Sequence, residues 1–363
     1  MMESLVFREM ISFMHQTGET SSSAWSVKKI SYWRVKPMFK KLSFLVAVSL
    51  VCALVLTPLA AMAKDRLAFS GGPEGGTFQY FSNGIATRLS KNIDNLEVSN
   101  MASAGSLENL RRLNSGDADF GIVYSGDTYL GRNGKLTQDT REYKNVKVMA
   151  YLYGAPAHLI VKADSGINKV EDLAGKRVAV GGPGSGAAGA AQRYFTSLGL
   201  WDKMKVEFLG YSKAASALGD NLIDAMWVFA GFPNSSVIQA AASNKIKLLD
   251  LVEAGEKAGF FTDYPFYVRL AIPANTYSGV DRDTASFQDS ALWVAGDQVK
   301  DDVVYKALTD IYSKEGLAYM VKVKSTAKAM SLESGLNGVV TPVHPGAIKF
   351  WEEKGLTLTQ DQK

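Results

Sequence analysis

The sequence predicts an α/β protein built as two domains with mostly parallel sheets. Three observations point there. A chain of 363 residues is longer than one hydrophobic core usually organises and suits two. From Lys64 onward, short β-branched runs alternate with stretches of helical spacing, the signature of βαβ units. The alternation also occurs twice, each time opening with a strand, a glycine-rich loop and a helix. This is a repeat of domain architecture and not a tandem solenoid.

Taken in order, the N-terminal region stands apart. Residues 1–37 are polar and irregular. Met38 then opens the run MFKKLSFLVAVSLVCALVLTPLAAMAKD. Lys40 and Lys41 form a basic n-region, residues 42–56 an apolar h-region, and Pro58 breaks it. Ala61-Met62-Ala63 gives small residues where a signal peptidase reads. The expectation is a signal peptide over 38–63 cleaved after Ala63, export to the periplasm, and a mature chain that does not span the membrane. A transmembrane anchor is the alternative, but the apolar run falls short of the roughly 20 residues a span needs. Residues 1–37 read as an over-extended start or, alternatively, a long n-region. Cys52 is the only cysteine and lies in the h-region after Val51, a poor lipoprotein context. The mature chain is therefore expected to hold no thiol and no disulfide.

Composition narrows the function classes. Hydrophobic residues make up 47% and charged residues 21%, the balance of a soluble globular protein with enough apolar mass for its cores. The net charge of +4 sits mostly at the N-terminus. Residues 1–63 hold seven of the 40 basic and three of the 36 acidic residues, leaving 33 of each from Lys64 onward. A neutral mature chain carries no bulk electrostatic footprint for nucleic acid or an anionic membrane.

The first unit reads as a strand over 66–70, a helix over 78–91, a strand over 96–101, a helix over 107–114 and a strand over 118–123. The second reads as a strand over 177–180, a helix over 187–198, a strand over 206–209, a helix over 213–219 and a strand over 225–229. Between them, residues 146–161 and 266–273 are aromatic and β-branched and are expected to cross between the domains. The tail from Asp289 is expected to be helical, most clearly over 299–311 and 315–321, and to return to the first domain. The resulting division is 64–152 with 267–363 as domain I and 153–266 as domain II, joined by a two-strand hinge.

Two glycine loops carry the chemistry: GGPEGGT over 71–77 and GGPGSG over 181–186. Each joins a strand to a helix. Glycine lets the backbone come close to a ligand, and the free N–H groups and dipole of the following helix favour an anion. Ser103-Ala104-Gly105-Ser106 also lies between a strand and a helix, with Asn109 one turn in, and Ser125-Gly126-Asp127 ends the next strand. All four loops fall at the carboxyl ends of strands, where open α/β sheets bind ligands. Two such loops facing each other across a cleft would hold a small carboxylate from both sides. The alternative is that the glycines are only turns.

A rival reading is a dinucleotide enzyme. Gly184-Ser185-Gly186-Ala187-Ala188-Gly189 fits G-x-G-x-x-G between a strand and a helix. The acid that should bind the ribose would be Glu207, which the strand assignment puts mid-strand. Other catalytic patterns are thin. His158 and His344 form no metal-ligand pair. The first reads as a core or hinge residue and the second, before a helix, as a cap. There is no G-x-S-x-G elbow. The expectation is a binding protein without cofactor or metal, and not an enzyme.

Several motifs together carry a resemblance. GGPEGGTFQYFSNGIA, SAGSLENLRRLNSGDADFGIVYSGD, DSGINKVEDLAGKRVAVGGPGSG, IDAMWVFAGFPNSSV, YPFYVRLAIPANTY and MSLESGLNGVVTPVHPGA resemble, in this order, the TAXI-type solute receptors of TRAP transporters. The likeness runs from Leu67 to Gly355. It implies a type II-like periplasmic-binding-protein fold with a ligand cleft between its domains. It further implies TRAP membrane subunits as partners, ion-driven import, and a small organic acid or an amino acid such as glutamate as ligand. The ligand-facing positions it implies are Gly76, Thr77, Ser103, Gly105, Ser106, Asn109, Ser125, Asp127, Gly184, Ser185, Gly186, Ala187, Phe229 and Phe232. Two positions depart from the family's pattern: Ala187 where GSGT has a hydroxyl, and Asn275 where IPAGTY has glycine. Arg269 is also unexpected, and either pairs with a ligand carboxylate or makes a structural ion pair. An ATP-driven importer's receptor would share the fold.

Overall fold

The computed structural model describes residues 64–363 except Gln138. The expected signal peptide, Cys52 and residues 1–37 lie outside the described residues. The first unit is β1 (Asp65–Ser70), α1 (Thr77–Asn92), β2 (Leu96–Met101), α2 (Ser106–Ser115) and β3 (Phe120–Tyr124). The second is β5 (Arg177–Ala179), α4 (Gly186–Ser197), β6 (Lys205–Glu207), α5 (Tyr211–Gly219) and β7 (Ala225–Phe229). Helix α3 (Ser125–Arg132) and the long strand β4 (Val146–Lys162) lie between them. The α/β class read from the sequence is the class observed.

The two units match in topology as well as in order. β1 pairs in parallel with β2 and β3, and β5 pairs in parallel with β6 and β7. Each third strand then meets a long antiparallel strand, β3 against β10 (Thr284–Gly296) and β7 against β4. The sheet runs β2-β1-β3-β10-β4-β7-β5-β6. β4 and β10 pair with each other along most of β10, so these two strands join the halves. Their side chains divide the same way. Trp293 on β10 packs with Phe69 and Phe120 of the first half. Phe287, six residues earlier, packs with Tyr194 and Trp227 of the second.

Two expectations need correction here. The segment over 266–273 is not a crossing strand. Its strand, β9 (Val268–Ile272), pairs with β10 and is largely exposed. Aromatic and β-branched composition marks a strand but not its place in a sheet. Nor is the chain helical from Asp289. Residues 289–296 finish β10, whose buried run lacks the alternation of a half-exposed strand.

Elsewhere the helices follow their apolar spacing. α1 buries Phe78, Phe81, Ile85 and Leu89, one stripe at three- and four-residue steps. α2 ends at Gly116, whose φ of 82° gives the left-handed C-cap that glycine tolerates. In the tail, α9 (Asp301–Ile311) starts with Asp301 and Asp302 in its first turn, where carboxylates suit the dipole. α10 (Lys314–Val323) and α11 (Pro345–Glu353) follow. α9 and α10 pack on α1, returning the chain to the first half. The rest of the second half is α6 (Ser235–Ser243), β8 (Ile246–Leu248), α7 (Val252–Lys257) and α8 (Phe260–Asp263). Among the described residues no helix is long and apolar enough to cross a membrane.

Candidate functional site

The parallel strands of both halves point their carboxyl ends at one cavity. Its wall takes Pro73, Gly76, Thr77 and Phe78 after β1, Ala104, Gly105 and Ser106 after β2, and Tyr124 at the end of β3. From the other half come Ser185, Gly186 and Ala187 after β5, Tyr211 after β6, and Phe229 and Ala230 at β7, with Tyr153 from β4. The space is about 270 Å³, part of it open to solvent, and its enclosed part holds about one water. The cleft is drawn shut.

Local sequence explains why four helices start here. The N-cap residues of α1, α2 and α5 are Gly76, Gly105 and Gly210, and none makes a side-chain cap. The first-turn N–H groups of a helix have no intrahelical partner, and in these three helices, which start at the cavity wall or beside it, no side-chain oxygen caps them. α4 differs, because Ser185 Oγ accepts from Ala188 N at 3.0 Å. Two glycines are required by geometry. Gly105 has φ 118°, which side chains rarely adopt. A Cβ on Gly186 would lie 2.5 Å from Ser106 Cβ and 2.6 Å from Asp127 Oδ2, so α4 reaches α2 only through glycine.

The polar groups around the cavity are mostly engaged. Tyr124 and Tyr211 both donate to Phe229 O, at 2.6 and 2.9 Å. Ser106 Oγ accepts from Tyr124 N at 2.9 Å and donates to Asp127 Oδ2 at 2.6 Å. Thr77 Oγ1 reaches Gly231 O only at 3.4 Å. Tyr153 is the exception. Its side chain is inaccessible, and its hydroxyl makes no well-formed hydrogen bond, with Thr77 its polar neighbour. Burial above all pushes that hydroxyl well above the usual tyrosine range, against a smaller downward pull from Thr77, so it stays a neutral donor.

Eight of the expected positions therefore meet at the cavity: Gly76, Thr77, Gly105, Ser106, Ser185, Gly186, Ala187 and Phe229. The others are held elsewhere. Ser103 Oγ donates to Gly71 O and accepts from Gly105 N, both at 3.1 Å. Asn109 donates to Gly71 O and Ile122 O and accepts from Ser70 Oγ, tying β1 to β3. Ser125 donates to Gly338 O. Gly184 lines a neighbouring cavity with Arg111 and Arg193. Phe232 is half-buried, with its carbonyl accepting from Thr326. Ser103, Asn109 and Ser125 are thus tied into the loops that shape the cavity.

Asp127 belongs to a buried polar cluster. Oδ1 accepts from Arg193 Nη2 at 2.9 Å, and Arg193 Nε donates to Tyr267 at 2.9 Å. Asp289 lies beside it, accepting from Gly126 N and Ser290 N. Burial, then the charge of Asp127, pushes the Asp289 carboxyl up to about 8. Sequence reasoning missed Tyr153, Tyr124, Tyr211, Phe78, Arg193 and Asp289. Tyr124 could have been found, because it directly precedes the Ser125 loop at a strand's carboxyl end.

The remaining sequence candidates resolve plainly. Arg269 pairs on the surface with Glu256 at 2.7 Å and stacks over Phe261, the structural ion pair of its two readings. His158 Nδ1 faces Pro156 O at 3.0 Å, which can only accept, so Nε2 accepts from Tyr277 at 3.0 Å. His344 caps α11 through Gly346 N. Asn275 has φ 62°, a conformation asparagine tolerates in place of glycine. Glu207 is the last residue of β6 and exposed, not mid-strand. No cluster of metal-ligating side chains occurs among the described residues.

Fold and site define a two-halved α/β protein with a small closed cavity at the carboxyl ends of both sets of strands. Residues 69–355 match the NMT1-like family, and the chain belongs to it. Among solved structures it is similar to the periplasmic aliphatic sulphonate binding protein of Escherichia coli, with 15% identity over 80% of this chain and 83% of that one, at TM-score 0.41. It is also similar to MatC from Rhodopseudomonas palustris with bound malate, with 13% identity over 80% and 96%, at 0.46. A putative L-cystine ABC transporter from Listeria monocytogenes matches with 14% identity over 71% and 94%, at 0.44.

Proposed function

We propose that this protein is an exported solute-binding receptor, which captures a small organic anion in the cleft and hands it to membrane transport subunits. The observation that carries the reading is the convergence of helix N-termini from both halves on one cavity, three of them without a side-chain cap. Partial positive charge and free N–H groups make such ends anion sites. Held by both halves, the ligand favours closure, with β4 and β10 as the hinge.

The finer reading is the TAXI-type receptor of a TRAP transporter, on the ordered motifs described above. The ATP-driven importer stands beside it, because the family that matches is the NMT1-like one. Which membrane subunits restore uptake in a reconstituted system separates the two. A thermal-shift screen of organic acids, amino acids and sugars tests the receptor reading. A carboxylate is expected to raise the melting temperature; stabilisation by neutral sugars alone would refute it.

A further inference from the structure

We infer that the cleft selects a short monocarboxylate without an ammonium group, hydrogen-bonded by the Tyr153 hydroxyl, and rejects α-amino acids. The inference rests on the receptor reading above and narrows its ligand. No residue of the cavity wall is charged. An α-ammonium entering it would lose water and find no carboxylate in exchange, a costly burial. It would also face the positive ends of the converging helices.

The nearby carboxylates do not rescue it. Asp127 stands behind Ser106, with its two oxygens bonded to Ser106 and to Arg193. Glu108 accepts from Ala104 N and pairs with Arg112. Glu74 is exposed and off the wall. Aromatic faces can bind cations, but here they cover one another. Tyr124 packs between Phe78 and Phe229 at centroid distances of 4.8 and 4.9 Å.

The same wall argues for one carboxylate and not two, since no arginine or lysine waits for a second. The enclosed part of the cavity is small, with room for about one water, which favours a body of few carbons. Tyr153 supplies the remaining specificity. A buried hydroxyl without a well-formed hydrogen bond is costly to leave unmade, and Tyr153 lines the cavity together with Thr77. A carboxylate, hydroxyl or keto oxygen of the ligand would complete it.

Titration calorimetry on protein unfolded and refolded to strip bound solute tests this with matched acids. 2-Hydroxybutyrate and butyrate are expected to bind at least about tenfold more tightly than 2-aminobutyrate, glutamate or succinate. Tyr153→Phe is expected to weaken 2-hydroxybutyrate about tenfold without lowering the melting temperature of the unliganded protein, because it removes an unsatisfied group. If 2-aminobutyrate or glutamate binds as tightly as the hydroxy acid, this inference fails and the receptor for organic anions stands. If the variant binds as well as the native protein, Tyr153 is no contact. If no acid of the panel binds, both readings fall.

Discussion

Arg193 on α4 meets Asp127 on α3 across the closed cleft, Nη2 to Oδ1 at 2.9 Å, with both side chains buried. The pair joins the two halves of the molecule just behind the cavity wall, where Ser106 links Asp127 to that wall. Removing one member of a buried pair strands the other. Arg193→Met is therefore expected to destabilise the protein by about 3–5 kcal/mol, read as a lower urea midpoint. The double variant D127L/R193M should recover part of that loss, because an apolar replacement leaves no buried charge.

Asp289 and His158 set the pH dependence. Asp289 titrates near 8 in the native state against 3.8 unfolded, so between those values the native state holds a proton that the unfolded chain has lost. Stability then falls as pH rises through that window, by about 1.4 kcal/mol per unit. His158 is pushed down to about 4 from 6.5, by burial. It binds its proton in the unfolded state first, and so stability rises with pH between those values. The two slopes oppose each other from about pH 4 to 6.5, where burial also lowers His344 and adds to the rise, and leave Asp289 alone above. Urea unfolding should show no decline up to about pH 6.5 and a decline from there toward 8.

Substitution separates the two groups. Asp289→Asn should abolish the decline above pH 6.5 and uncover a rise between about 4 and 6.5. His158→Gln should turn the profile below pH 6.5 downward relative to the native protein, with His344 still offsetting part of the decline. A native profile that is flat from pH 6.5 to 8 would contradict the assignment to Asp289.

Gly186 tests closure. A methyl group there meets Ser106, Asp127 and Tyr124 at 2.5–2.6 Å, so Gly186→Ala should hold the halves apart. Small-angle scattering should report a larger radius of gyration, and affinity for the bound acid should fall at least about tenfold, or 1.4 kcal/mol. Native dimensions and affinity in the variant would show that the close approach is not needed.

Much of the fold was legible because it is local. Glycine loops flanked by a strand and a helix showed both βαβαβ units, and the strands over 96–101 and 225–229 fell on β2 and β7. β10 was not legible, since a strand buried on both faces loses the alternation that marks an exposed one. The backbone side of the site was legible for the same local reason, as at Gly76, Gly105 and Gly186. Its side-chain half was not. Tyr153 arrives from a joining strand and Tyr211 from the second unit, and only the closed sheet brings them to the same cavity as Thr77. The internal bonding of Asn109 and Asp127 was equally hidden, because their partners lie on other elements.

We propose that a small organic acid sits among the helix N-termini of both halves. Calorimetric titration of the native protein and of Thr77→Trp, with the acid that most raises the melting temperature, tests it most directly. Thr77 opens α1 at the cavity wall, and an indole there would fill the space. Binding to the native protein is expected, with at least a hundredfold loss in the variant, about 2.7 kcal/mol, and its circular dichroism unchanged. Equal affinity in the two proteins would contradict it and move the site elsewhere.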